Sequence, residues 1–132
     1  MKRIEDIPDE NKGGDCFKTA AETVMHGNGL KLVHAIVSGQ GPLTGVKYVH
    51  AFALDEKRGV VIDNTQKNPE LREIPAGLYW YLGKIETYRE YTQDEMYKML
   101  LKHENWGPWD KTFDGVLEES RFDIGKSLRR LK

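Results

Sequence analysis

Three residues of this chain form a chemically matched set: Cys16, which is the single cysteine, with His50 and Asp63. A thiolate attacks acyl carbons readily, and an imidazole can take up and return the thiol's proton. A carboxylate on the far ring nitrogen fixes the tautomer of that imidazole and steadies its charged form. Each residue also has a plainer reading. A lone cysteine is most often a small buried hydrophobe, a histidine on a central strand a satisfied core residue, and an aspartate at a strand end a turn former. As a set they are polar groups standing where packing favours apolar ones. They read as nucleophile, base and orienting residue.

The elements around them have to bring them together. After Gly13-Gly14, Asp15 is a good helix N-cap, and Phe17, Ala20, Ala21 and Val24 recur on one helical face up to a stop at Gly27. Cys16 then opens the helix, where unpaired N–H groups and the positive end of the helix dipole favour a thiolate and can steady an oxyanion. Residues 46–54 and 59–63 flank the polar turn Asp55-Glu-Lys-Arg58 and read as an antiparallel hairpin. A turn centred on Glu56-Lys57 sets His50 directly opposite Asp63, on one face. An odd-length loop would set Ile62 or Asn64 there instead, and of these only Asn64 can orient an imidazole. The helix is expected to pack across the face that carries His50.

The rest of the chain completes an α+β pattern. Residues 32–37 read as a strand and 38–45 as a loop. Pro75 and Gly83 bracket a short helix carrying Tyr79, Trp80 and Tyr81, and 85–91 is a further strand. Thr92 and Glu95 form a capping box that starts a helix running to about residue 104, closed by Trp106-Gly-Pro-Trp109. The expectation is a single domain over 1–132, with an irregular lead-in at 1–13, a core at 14–110 and a peripheral tail at 111–132, in which Phe113, Val116 and Leu117 can dock on the core. His34 reads as structural. His26 and His103 fall near helix C-termini.

Composition narrows the classes. The chain has 132 residues, 39% apolar and 31% charged, with a formal net charge of −1. That balance gives no general attraction to nucleic acid or membrane. A polar N-terminus without an apolar core segment, no long apolar run and a lone thiol fit the cytoplasm. The four histidines and one cysteine lack metal-ligand spacing, and no phosphate-binding glycine pattern occurs, so neither metal nor cofactor is expected. The basic end at 127–132 reads as a tail.

The order Cys, His, Asp resembles the papain-like and transglutaminase-like cysteine hydrolases. Asp15-Cys16-Phe17 is similar to their nucleophile helix start. His50-Ala51-Phe52 with Val60-Val61-Ile62-Asp63-Asn64-Thr65 is similar to the His-Ala-Trp and Val-x-Asp-x-Thr signature of transglutaminase-like peptidases. The likeness covers about residues 14–65. It implies a papain-like fold, in which the nucleophile-bearing helix packs on a small antiparallel sheet with additional helices. It also implies a Cys16-His50-Asp63 triad acting on an amide, thioester or isopeptide bond of a protein or peptide-like substrate. Where that family carries a glutamine before the nucleophile, this chain has Asn11-Lys12-Gly13-Gly14, which leaves Asn11 or Gln40 to serve the oxyanion. The stretch from Val37-Ser-Gly-Gln-Gly-Pro to Gly107-Pro-Trp-Asp110 also resembles small uncharacterised bacteriophage proteins, which implies a host cytoplasm. The competing reading is a non-enzymatic module of phage origin that binds a host protein on the same scaffold. The intact set of three residues favours the enzyme.

Overall fold

The computed structural model describes residues 15–39 and 44–117. Helix α1 (Asp15–His26) is followed by strands β1 (Lys31–Ser38), β2 (Lys47–Asp55), β3 (Val60–Ile62) and β4 (Glu73–Pro75). Then come α2 (Ala76–Gly83), β5 (Tyr88–Tyr91) and α3 (Gln93–His103). The strands form one open five-stranded sheet in the order β4-β3-β2-β1-β5. Every strand pairing is antiparallel, so the fold is α+β.

Helices cover both faces of this sheet, and strand alternation decides which side chain meets which helix. On one face Leu32, Val49, Ala51 and Ala53 pack with the buried stripe of α1 (Phe17, Ala20, Ala21, Val24) and with Met96 and Leu100 of α3. Phe113 and Leu117 close the same cluster, as their apolar character leads one to expect. On the other face Val33, Ala35, Val37, Phe52, Leu54 and Val61 pack with Ile85 and with Tyr79 and Trp80 of α2. A strand covered on both faces reads as a nearly continuous apolar run, which is the pattern of β2.

Several boundaries differ from the sequence reading. α1 opens at Asp15 itself, which makes Cys16 its second residue. Pro75 precedes α2 rather than starting it, and Lys84 closes that helix with a left-handed φ of 50°. The strand expected over 85–91 pairs only from Tyr88 to Tyr91. β4 and the 3-10 turn Pro69–Leu71 carry no apolar periodicity that would announce them. α3 starts as expected: Thr92 accepts from the Glu95 N–H, and the Glu95 carboxylate accepts from the Thr92 N–H.

The hairpin register also needs correction. β2 and β3 pair Ala53 with Ile62, Leu54 with Val61 and Asp55 with Val60, so the turn is centred between Lys57 and Arg58. Asp55 sets it. Its carboxylate accepts from the Arg58 backbone N–H at 3.2 Å and from Arg58 Nε at 2.7 Å. Gly59 then takes a φ of 68°, which favours glycine. In this register Phe52, not His50, stands level with Asp63.

Candidate active site

His50 and Asp63 nevertheless meet. The true register moves the partner by two residues, and an even shift keeps a side chain on its face. His50 and Asp63 become diagonal neighbours, a separation that long side chains bridge. The His50 Nε2 to Asp63 Oδ2 distance is 2.8 Å. An ionised carboxylate only accepts, so Nε2–H is the donor and Nδ1 is the nitrogen left for another partner.

Asp63 is 2% exposed and is held from several sides. Its Oδ1 accepts from the Thr65 N–H at 3.1 Å and from the Thr65 hydroxyl. Its Oδ2 also accepts from Gln66 Nε2 at 3.3 Å and from the Tyr79 hydroxyl at 3.1 Å. The backbone is pinned as well, since the Asp63 N–H donates to the Arg72 carbonyl at 2.7 Å. Burial pushes the Asp63 carboxyl up, but the bond to His50, the charge of His50 and the Thr65 donors outweigh it and hold it well below the usual carboxylate range. Burial works against the charged form of His50 too. There the bonds and charges of Asp63 and Cys16 prevail, and the imidazole is raised well above its ordinary value. Burial and the Asp63 carboxylate keep the Tyr79 hydroxyl protonated.

Cys16 reaches this pair in an unexpected way. α1 lies on the opposite face of the sheet from His50, because its apolar stripe packs on Val49, Ala51 and Ala53 while His50 lies between Tyr48 and Phe52 on the α2 side. The expectation that α1 crosses the face of His50 is therefore wrong. The layers meet because β3 is short. It ends at Ile62, and the register would require residue 65 to stand beside His50. Among the described residues β2 thus has no strand partner on that side at the level of His50. Cys16 stands in the first turn of α1, and its side-chain hydrogen bond is among the causes that raise the His50 ring.

Asn64 does not share the orienting role. Its Nδ2 donates to Thr23 Oγ1 of α1 at 2.9 Å, on the other face from His50. Asn11 and Gln40 lie outside the described residues. Sequence reasoning missed Tyr79, Thr65 and Gln66 as partners of Asp63. The Thr65 contacts follow the habit of an aspartate at a strand end, which binds the backbone two residues on, whereas Tyr79 comes from α2 and carries no local signal.

The ring of His50 lines a cleft of about 590 Å3 together with Val37, Tyr48, Leu71, Ile74, Tyr79 and Leu82. Among the described residues no cluster of side chains suits a metal ion, and no helix is long and apolar enough to cross a membrane. No protein-family model matches the chain, and neither does any curated protein or any solved structure.

Proposed function

We propose that the protein is a small thiol hydrolase or acyltransferase of papain-like type, acting on an amide, thioester or isopeptide bond. The observation that carries this reading is the continuous chain of contacts from the Cys16 thiol through the His50 ring to the Asp63 carboxylate. A buried histidine–carboxylate pair built only for stability would not need a thiol beside it.

The chemistry follows from the geometry. The raised imidazole already holds at Nδ1 the proton given up by Cys16, and Cys16 Sγ attacks the substrate carbonyl carbon, so that a C–S bond forms and charge collects on the oxygen. N–H groups at the start of α1 steady that charge. His50 then gives the proton to the leaving amine or thiol as the scissile bond breaks, leaving an acyl thioester on Cys16. Water, or a second amine, attacks the thioester while His50 takes its proton, and the thiolate re-forms. Asp63 keeps Nε2–H engaged throughout and stabilises the imidazolium.

A second reading, a protein-binding module on the same scaffold, draws on exposed apolar side chains of α2: Leu78 is 47% and Tyr81 78% exposed. Intact mass after incubation with acyl-directed electrophiles separates the two. The enzyme reading expects one adduct per chain, on Cys16, absent from Cys16→Ala and strongly slowed in His50→Ala. Equal slow modification of the native protein and of His50→Ala would leave the binding module.

A further inference from the structure

Resting on that thiol-acyl reading, we infer that the cleft between the sheet and α2 is the subsite for the acyl half of the substrate, and that it selects a bulky uncharged apolar group beside the scissile carbonyl. The cleft holds about 590 Å3, room for a large side chain and part of its neighbour. Its walls are aliphatic and aromatic, from Val37, Leu71, Ile74 and Leu82 with Tyr48 and Tyr79. Among the described residues its polar lining is uncharged apart from His50, whose Nε2 proton is already committed to Asp63. A carboxylate entering here would meet only an imidazolium already paired with Asp63, and an ammonium would meet no anion in the lining, so either would leave water at a cost. An apolar group would lose nothing and would cover wall that is otherwise wet.

The position of the cleft bears on the choice of substrate half. His50 itself lines it, so the cleft abuts the ring that holds the thiol. The leaving group takes a proton and departs after the first step. The acyl group stays bound to sulfur through both steps, so a recess that holds it contributes to acylation and to thioester breakdown alike. Apolar surface continues outward over the rim, where Leu71 is 50% and Leu82 46% exposed, and this suits a peptide-like acyl donor longer than one residue.

The test is a panel of peptidyl chloromethyl ketones that differ only in the residue beside the ketone (Leu, Phe, Asp or Lys). Rates of Cys16 labelling are read by intact mass, each divided by the rate with iodoacetamide on the same protein. Wild type should label with the Leu and Phe probes about tenfold or more faster than with Asp and Lys. Leu82→Arg, a change at a half-exposed position, should cut that ratio about tenfold and favour Asp, and Leu71→Arg serves as an independent second variant. Equal rates across the panel, or a preference that both variants leave unchanged, would overturn the subsite while normal iodoacetamide labelling left the thiol reading standing. Failure of every reagent, iodoacetamide included, on the native protein would overturn both.

Discussion

Asp63 gathers donors from His50, Thr65, Gln66 and Tyr79 onto one carboxylate, and this makes the state of His50 the property most sensitive to its replacement. Asp63→Asn removes the charge and keeps the shape. Burial then acts on the imidazole with less opposition, and its midpoint should fall by roughly 2 units or more, followed through the His50 ring signals by NMR. An unchanged midpoint would show that Asp63 does not hold the imidazolium. The pair also has a stability signature. His50 is raised in the folded protein, so its contribution is complete below its unfolded value of about 6.5 and is lost as pH rises through the folded value. Asp63 is lowered, so its contribution is present above about pH 4 and is lost as pH falls through its folded value. The stability difference between wild type and Asp63→Asn should therefore be largest between about pH 4 and 6.5 and shrink in alkali, as denaturant titrations at a series of pH values would record. Tyr79→Phe, which deletes one donor to a charged acceptor, should cost about 1.5 kcal/mol; a cost near zero in the same titrations would mean the hydroxyl is replaced by water.

α3 is the element whose start the sequence states most plainly, since both halves of the Thr92–Glu95 capping box are made. Thr92→Ala should lower stability by about 1 kcal/mol and leave Cys16 labelling at the wild-type rate, as this helix end lies away from the thiol; slower labelling without lost stability would reveal a role there. α1 is equally legible from its apolar spacing, and β2 from its nearly continuous apolar run. The hydropathy pattern places the turn between β2 and β3 one residue too early, because Asp55 and Arg58 fix it through side-chain bonds that such a pattern does not contain. The consequence was mild only because an even displacement preserves the face. The face that α1 covers was not legible at all. It is set by the packing of the apolar stripe of α1 on Val49, Ala51 and Ala53, while β3 stops pairing with β2 at Ile62 even though the Asp63 N–H carries the β4 side one step further, to the Arg72 carbonyl.

The molecule as a whole is built around two clusters, and the one beneath α1 encloses His34, which is fully buried with no hydrogen-bond partner on either ring nitrogen among the described residues. Phe17, Tyr91, Trp109 and Phe113 surround it, and a Cβ on Gly107 would come within 2.6 Å of its Cε1. Burial lowers this imidazole to about 3, so the unfolded chain takes up a proton first as pH falls. Stability should then drop by about 1.4 kcal/mol per pH unit below about pH 6.5, and His34→Leu should remove that slope; an identical acid limb in both proteins would show that His34 finds a partner. The candidate triad is legible by residue type, whereas the partnership of Cys16, in a helix on one face of the sheet, with His50, on the other, required the three-dimensional fold. The fold should therefore make the thiol reactive. The direct measurement is the rate of Cys16 alkylation by iodoacetamide at pH 6, for wild type and His50→Ala, each native and in denaturant. A site that works as proposed gives wild type a faster rate folded than unfolded, an advantage lost in His50→Ala. A wild-type thiol that reacts only once the chain is unfolded would contradict the account.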